Sequence, residues 1–272
     1  MAPGQDPLGR HRVKTLGNQD AHRAMVFVHG FGEDQTAWTE VAGAFLGDFR
    51  VVLLDNAGAG RSAPDAFTQS HYLGLDRYAT DLVEVCEALA LTDAVLVGHS
   101  AGGMMALLAA IGLPRVVSRL VMIGASPCYL DEPGYHGGFT DADLKGLYRL
   151  MLADYTQWAD QFALLAMGDA DGAHLATYFA NRLKTIPPDH ALTVLCSIFQ
   201  SDCRLQLPLV QQPTLVIQSR QDFAVPMAVA EYLHAQISAS RLVVVDATGH
   251  FPHLTAAPQV IAAIRAFLET PI

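Results

Sequence analysis

Basic residues are scarce in this sequence. Its 272 residues include 17 Lys and Arg against 27 Asp and Glu, which gives a formal net charge of −10. Proteins that bind nucleic acid or anionic lipid usually carry a basic patch that faces the phosphate groups. The few basic residues here are scattered along the chain. We therefore expect neither nucleic acid nor a membrane among the partners.

A long hydrophobic run is also missing. The longest apolar stretch, around residues 104–111, is shorter than the ~20 residues that a membrane-spanning helix needs. The first residues, MAPGQDPLGRHR, are polar and contain no apolar segment of the kind found in secretory signals. These absences predict a cytoplasmic protein.

Cysteine pairs with metal-binding or redox spacing are lacking. Cys86, Cys128, Cys196 and Cys203 form no CxxC pair and no cluster with histidine, so we expect reduced thiols and no metal. The segment 55–62 contains GxG, but it lacks the third glycine and the following helix of a dinucleotide-binding motif. No phosphate-binding loop is present either, and no cofactor is predicted.

Hydrophobic residues, in contrast, are abundant. They make up 51% of the chain, whereas charged residues make up 16%. A chain of this composition can bury a large core, which excludes an intrinsically disordered protein. Its length fits one large domain, or one domain with an insertion.

Short apolar runs alternate with longer segments of helical period. Runs such as MVFVH, VVLLD and AVLVG are apolar on both faces, which is typical of parallel strands covered by helices on each side. The alternation predicts an α/β fold with a mostly parallel sheet flanked by helices. The predicted strands are 24–29, 49–55, 94–98, 119–124, 214–219 and 241–246, and the predicted helices are 38–45, 75–89, 101–111, 227–236 and 258–268.

The alternation stops between residues 127 and 188. Helical segments there are separated by Gly, Pro and Asp, and aromatic residues are more frequent than one surface helix requires. We expect a helical lid at 127–188, inserted into a core of residues 1–126 and 189–272. Its position after a strand places it over the carboxyl edge of the sheet, where α/β folds bind ligands. The alternative is that this segment only extends the core.

The most informative motif is GHSAG at residues 98–102. It follows an apolar strand and precedes a helix, which is the context of a nucleophile elbow. The glycines leave space for a tight turn that exposes the serine at the end of the strand. The motif predicts Ser100 as a nucleophile.

A serine hydroxyl is a weak nucleophile that needs a base and an orienting acid. In the α/β-hydrolase fold the three follow in the order serine, acid, histidine. Asp222 comes just after the strand predicted at 214–219, and His250 just after the strand at 241–246. They complete the predicted triad. His253 is the alternative base, but it lies past Pro252, towards the last helix, and is disfavoured.

The motif HGFG at residues 29–32 follows the first predicted strand, where this fold places an oxyanion loop. We expect the backbone N–H groups of Phe31 and Ala101 to bind the oxyanion, because its stabilisation requires two preorganised hydrogen-bond donors. The Phe31 side chain would then form part of the pocket wall. His29 and His99 are expected to brace their loops rather than transfer protons.

Several motifs together resemble one subfamily of α/β-hydrolases. They are HGFGEDQTAW at 29–38, the turn at 55–62, the elbow at 98–102, SPCYL at 126–130 and GGF at 137–139. The group contains the bacterial stress-signalling hydrolase RsbQ and the plant strigolactone and karrikin receptors. The similarity extends from about residue 11 to the C-terminus. The elbow marks only the superfamily, whereas the HGFG and SPCYL…GGF motifs are more specific.

The resemblance implies a hydrolase core, the same triad, and a lid of four helices over an apolar pocket. Glu33 and Cys128 depart from the family pattern. The pocket positions that the family motifs imply are Phe31, His99, Ala101 and Phe139. The resemblance also implies four further pocket positions, which fewer matching motifs support: Trp158, Phe162, Phe199 and Phe223.

These observations predict a serine hydrolase that cleaves a small apolar ester or lactone through an acyl-enzyme. The alternative is an RsbQ-like ligand sensor with slow hydrolysis and a protein partner, such as a phosphatase with a sensory domain. Carbon–carbon bond hydrolysis or perhydrolysis on the same scaffold is a third hypothesis. Haloalkane dehalogenation and epoxide hydrolysis are disfavoured, because those enzymes use an aspartate where this chain has Ser100.

Overall fold

The computed structural model describes residues 6–168 and 173–269. A seven-stranded sheet lies at its centre, with the strand order β1-β3-β2-β4-β5-β6-β7. β1 is antiparallel to β3, and every other neighbouring pair is parallel. The strands are β1 (Lys14–Gly17), β2 (Ala24–Val28), β3 (Arg50–Leu53), β4 (Ala94–His99), β5 (Val117–Ile123), β6 (Thr214–Gln221) and β7 (Ser240–Thr248).

The structure confirms the predicted α/β fold. All six predicted strands are present, with ends within two residues of those expected. β1 was not predicted, because this short edge strand is largely exposed and carries no hydrophobic run. The described helices are α1 (Pro7–Arg10), α2 (Thr39–Gly43), α3 (Leu75–Ala88), α4 (Ala101–Gly112), α5 (Asp141–Ala153), α6 (Tyr155–Met167), α7 (Ala173–Leu183), α8 (Pro188–Phe199), α9 (Met227–Gln236), α10 (Pro252–Thr255) and α11 (Ala257–Leu268).

Side chains that alternate along the strands fill two cores, one on each face of the sheet. In β2, Met25 and Phe27 pack on the face covered by α2 and α11, whereas Val26 and Val28 pack on the face covered by α3, α4 and α9. This period of two explains why the inner strands are apolar throughout. α4 is buried along most of its length, which explains its almost uniformly apolar sequence.

The first helical region begins earlier than predicted. The expected helix at 38–45 is replaced by a 3₁₀ turn over Gln35–Trp38, followed by α2. The Asp34 carboxylate accepts a hydrogen bond from the backbone N–H of Thr36 and caps this turn. The short-range capping interaction therefore moves the start of the helical region by three residues.

Four of the described helices, α5 to α8, lie between β5 and β6, and we call residues 141–168 and 173–199 the helical insertion. A loop at 127–140 precedes it. α8 begins at Pro188, the predicted end of the lid, and continues to Phe199, within the segment assigned to the core. The role of this insertion as a lid, with the boundaries given above, stays a prediction.

In the part of the chain that the structure describes, no helix is both long enough and apolar enough to cross a bilayer.

Candidate active site

The carboxyl ends of β4, β6 and β7 bring Ser100, Asp222 and His250 to one place. Ser100 lies at the turn between β4 and α4, with a positive φ of 53° that is unfavourable for a residue with a side chain. The turn is tight: a Cβ on Gly98 would lie 2.3 Å from the Gly102 carbonyl oxygen, and one on Gly102 would lie 2.4 Å from that of Val28. Both glycines of the motif are therefore required by close backbone contacts.

The three side chains form one chain of hydrogen bonds. His250 Nε2 lies 2.8 Å from Ser100 Oγ, and His250 Nδ1 lies 2.8 Å from Asp222 Oδ2. Because the carboxylate can only accept, Nδ1 carries the proton and Nε2 is left to accept from the serine hydroxyl. This is the tautomer that a general base requires.

The side chain of Asp222 is buried but remains charged. Its Oδ1 accepts hydrogen bonds from the backbone N–H groups of Ala224 (2.9 Å) and Val225 (3.1 Å). Burial alone would raise the pKa of this carboxyl, but His250 and the two backbone donors outweigh burial and hold the pKa below its usual value. A charged Asp222 can both orient His250 and stabilise its protonated form.

The HGFG segment lies directly after β2, beside the serine. His29 braces it: the His29 ring donates from Nδ1 to the Gly30 carbonyl (2.8 Å) and accepts at Nε2 from the Asn56 backbone N–H (2.9 Å). Ala101 is the first residue of α4, where a backbone N–H has no carbonyl partner within the helix. A Cβ on Gly30 would lie 3.1 Å from Ser100 Cβ, so the residue before Phe31 is close to the serine, and Ala101 directly follows it in the sequence. The roles of Phe31 and Ala101 as oxyanion donors stay a prediction.

A small cavity of about 30 Å³ adjoins Ser100. Four of the predicted pocket residues line it, namely Phe31, His99, Phe162 and Phe199. Ala101 is not among the lining residues. The remaining three lie one ring away. The ring centroids are 5.0 Å apart for Trp158 and Phe162, 5.1 Å for Phe139 and Phe199, and 5.6 Å for Phe223 and Phe162. A direct contact between these three and a ligand stays a prediction.

A second cavity, also of about 30 Å³, lies beside the HGFG loop at residues 29–32. Phe31 and Ile198 line both cavities, so these two side chains form the wall between them. Tyr78 borders the second cavity, and its buried hydroxyl has no hydrogen-bond partner among the residues that the structure describes.

A family model described as the alpha/beta hydrolase fold matches residues 23–257. The chain belongs to the α/β-hydrolase fold family.

This hydrolase is similar to proteins of the predicted receptor subfamily. It is 39% identical to a karrikin insensitive 2 receptor of Petunia hybrida, over 96% of this chain and 97% of that protein. It is 37% identical to a strigolactone esterase of Arabidopsis thaliana, over 94% and 95% of the two chains. The solved structure of a hydrolase from Oleispira antarctica is 30% identical, covers 98% of this chain and 97% of its own, and superposes with a TM-score of 0.93. The resemblance inferred from the motifs is confirmed.

The sequence of this hydrolase did not predict several of the residues that line the cavity. The hydroxyl of Tyr129 lies 3.5 Å from Ser100 Oγ, and burial raises the pKa of this phenol to about 12, so that it stays protonated at neutral pH. Tyr129 belongs to the SPCYL motif, but nothing in the motif indicates that the loop after β5 turns back to the serine. Other lining residues without a local signal are Leu195, Ile198, Ala224 and Phe251.

One cluster of the described residues contains metal-binding residue types. Ligand atoms of Glu33, His99 and His253 lie within 4.8 Å of one another, and all three side chains are buried. The atoms that face one another are engaged in hydrogen bonds within the cluster. We therefore assign these residues no metal-binding role, and the expected absence of a metal or cofactor stays a prediction.

Proposed function

We propose that the protein is a serine hydrolase that cleaves small apolar esters or lactones through an acyl-enzyme. The observation that carries this proposal is the hydrogen-bonded chain of Ser100, His250 and Asp222 at the wall of an apolar cavity.

In the first half of the reaction, Ser100 Oγ attacks the carbonyl carbon while its proton passes to His250 Nε2. Asp222 stabilises the imidazolium that forms. The negative oxygen of the tetrahedral intermediate accepts hydrogen bonds from the N–H groups of Phe31 and Ala101. The intermediate then expels the alcohol oxygen, which takes the proton from His250. With a lactone, this alcohol remains attached to the acyl group.

In the second half, a water molecule replaces the alcohol. His250 removes a proton from the water as its oxygen attacks the acyl carbon, and the same N–H groups hold the second oxyanion. Ser100 then leaves, takes the proton from His250 and is regenerated. The products are a carboxylic acid and an alcohol, or a hydroxy acid from a lactone.

The apolar walls of the cavity favour an uncharged substrate. Apolar side chains such as Phe162, Leu195 and Phe199 face Ser100, and a charge without a partner is costly to bury in such surroundings. The esterase name of the relative from Arabidopsis thaliana agrees with ester chemistry at this site.

The helical insertion would act as the lid over the site. Phe162 of α6 and Leu195, Ile198 and Phe199 of α8 supply part of the cavity wall, so a substrate passes this layer to reach the serine. Movement of α6 and α8 relative to the core would control entry.

A ligand sensor with slow hydrolysis and a protein partner is the second candidate. The observations that favour it are the receptor name of the relative from Petunia hybrida and large exposed apolar side chains on the insertion: Leu150, Leu152, Leu164 and Leu165. An apolar surface of this kind fits a protein partner, such as a phosphatase with a sensory domain. Both candidates use the same cavity and nucleophile.

The test is steady-state hydrolysis of p-nitrophenyl acetate and butyrate by the wild type and by Ser100→Ala. We expect kcat/KM to fall by roughly 10⁴-fold or more, because the nucleophile is removed. Ser118→Ala serves as the control, since Ser118 lies near the start of β5, at the opposite edge of the sheet, and should retain activity. Activity that persists in Ser100→Ala would contradict the proposal.

The same experiment separates the two candidates. Turnover on the order of one per second or faster is usual for enzymes and would favour the hydrolase. A wild type that reacts once with the ester and then turns over very slowly would favour the sensor.

A further inference from the structure

A second network of buried polar side chains lies next to the proposed triad, with the Glu33 carboxylate at its centre. Its Oε2 accepts hydrogen bonds from the Gly30 backbone N–H and from His99 Nδ1, both at 2.7 Å, and its Oε1 accepts from His253 Nε2 at 2.8 Å. The side chains of Glu33, His99 and His253 are at most 2% exposed. Three donors from three separate segments of the chain thus meet at one carboxylate.

The geometry fixes the charge of His99. Its Nδ1 faces the Glu33 carboxylate, and its Nε2 lies 2.8 Å from the backbone carbonyl oxygen of His250. Both partners are acceptors only, whereas a neutral imidazole has one N–H. His99 is therefore an imidazolium that donates from both nitrogens.

The electrostatics agree with this assignment. Burial disfavours a charge on His99, but the interaction with Glu33 and the hydrogen bonds from both ring nitrogens raise its pKa above the usual value. Burial likewise opposes the charge on Glu33, yet the two histidines hold the pKa of this carboxyl well below its usual value. The result is a buried ion pair directly beside His250, with the two imidazole rings 4.9 Å apart.

Each contact of this ion pair lies next to a group that the reaction uses. Gly30 precedes Phe31, the proposed oxyanion donor, and His99 precedes Ser100. The carbonyl that His99 holds belongs to His250 itself, and His253 lies in α10, just after the His250 loop. The three segments that carry the nucleophile, the base and an oxyanion donor are therefore connected through Glu33.

We propose that Glu33 is a positioning residue, which holds the oxyanion loop, the serine turn and the His250 loop in their mutual arrangement through the imidazolium of His99. The inference rests on the proposed roles of Ser100 and His250. A carboxylate suits this place because it accepts from all three donors, whereas a glutamine would turn an NH₂ group towards one of them. A shift of about 1 Å in reacting groups can cost about 10²-fold in rate.

The first test is Glu33→Gln, assayed with p-nitrophenyl butyrate. We expect kcat to fall by roughly 10- to 100-fold, because the reacting groups lose their alignment. KM should stay within about threefold, because Glu33 does not line the cavity and the contacts that bind the substrate are therefore unchanged. Glu33→Asp keeps the charge with a shorter reach and should recover part of kcat. Unchanged kcat in Glu33→Gln would overturn the proposal.

The matched control is Asp81→Asn. Asp81 is also a buried carboxylate, paired with His11 at 3.6 Å and hydrogen-bonded by Tyr72 at 2.7 Å, but these partners lie outside the cavity beside Ser100. It should lower stability while kcat is retained. An equal loss of kcat in both variants would show that Glu33 acts only through stability, and would overturn the inference.

A measurement on the wild type keeps the inference testable if Glu33→Gln does not fold. Nitrogen NMR of labelled histidine should show protons on both ring nitrogens of His99 at pH 7. A neutral His99 would overturn the inference. Activity that persists in Ser100→Ala would instead reject the proposed function, whatever the state of His99.

Discussion

His250 takes its orientation from side chains that are far away in the sequence. Asp222 fixes its protonated nitrogen, and the His99 ring donates a hydrogen bond to its backbone carbonyl. The sequence predicted that Ser100, Asp222 and His250 would meet, because each follows a recognisable strand in the order expected for this fold. The positions of Glu33 beside His99 and of Tyr129 beside Ser100 could not be predicted, since they depend on how distant loops pack against each other.

His253 leads to a prediction about stability and pH. Burial, reinforced by the charge on His99, lowers the pKa of His253 to about 4. In the unfolded chain His253 binds a proton below about pH 6.5, whereas in the folded protein it stays neutral until about pH 4. The contribution of His253 to stability therefore falls as the pH drops through this window, and by pH 5 the loss from this group is on the order of 2 kcal/mol.

Urea denaturation between pH 7 and pH 5 measures this effect. His253→Gln cannot take up the proton, so its stability should depend less steeply on pH than that of the wild type, even if it is lower at pH 7. Identical pH dependence in the two proteins would show that His253 titrates normally in the folded state.

At the scale of elements, the turn between β4 and α4 is where local sequence determines structure most directly. Gly98 and Gly102 were predicted to leave space for the tight turn. The close backbone contacts at both positions agree with this prediction. Element types were predictable wherever a hydrophobic period was strong, as in β2 and α3. β1 and the 3₁₀ turn at Gln35–Trp38 were not, because edge exposure and a single capping side chain determine them.

Two glycines of α4 give a matched pair of substitutions. In Gly102→Ala the new Cβ would lie 2.4 Å from the Val28 carbonyl oxygen, whereas in Gly112→Ala the nearest atom would be 3.7 Å away. We expect Gly102→Ala to lose more than about 2 kcal/mol of stability through overpacking. Gly112→Ala should range from no change to a gain of about 1 kcal/mol, because alanine favours the helix.

Chemical denaturation of the two variants measures this difference. If Gly102→Ala were as stable as Gly112→Ala, the backbone contact between α4 and β2 would not be as close as described.

At the scale of the whole molecule, the helical insertion contacts the core beside the HGFG loop at residues 29–32. Arg182 of α7 forms an ion pair with Asp34, and the Tyr178 hydroxyl lies 3.2 Å from Thr36 Oγ1. The sequence predicted the helical nature of this region. It assigned the segment after residue 188 to the core and did not predict that α8 would line the cavity, because a helical pattern does not show which elements the helix packs against.

The Arg182–Asp34 pair predicts a difference in local opening. Arg182→Met removes a contact between insertion and core, whereas Lys184→Met removes a contact within the insertion, to Asp160. Hydrogen exchange of α7 should become faster in Arg182→Met than in Lys184→Met, while β4 stays protected in both. Equal exchange in the two variants would show that this pair does not hold the insertion against the core.

Ser100 is the proposed nucleophile of this hydrolase. The most direct measurement is reaction with an alkyl fluorophosphonate, in which the serine oxygen bonds to phosphorus and fluoride leaves, followed by intact-mass analysis and peptide mapping. We predict one adduct on the peptide that contains Ser100, loss of esterase activity in proportion to labelling, and no adduct in Ser100→Ala. Labelling of a different residue, or full labelling with activity retained, would contradict the claim.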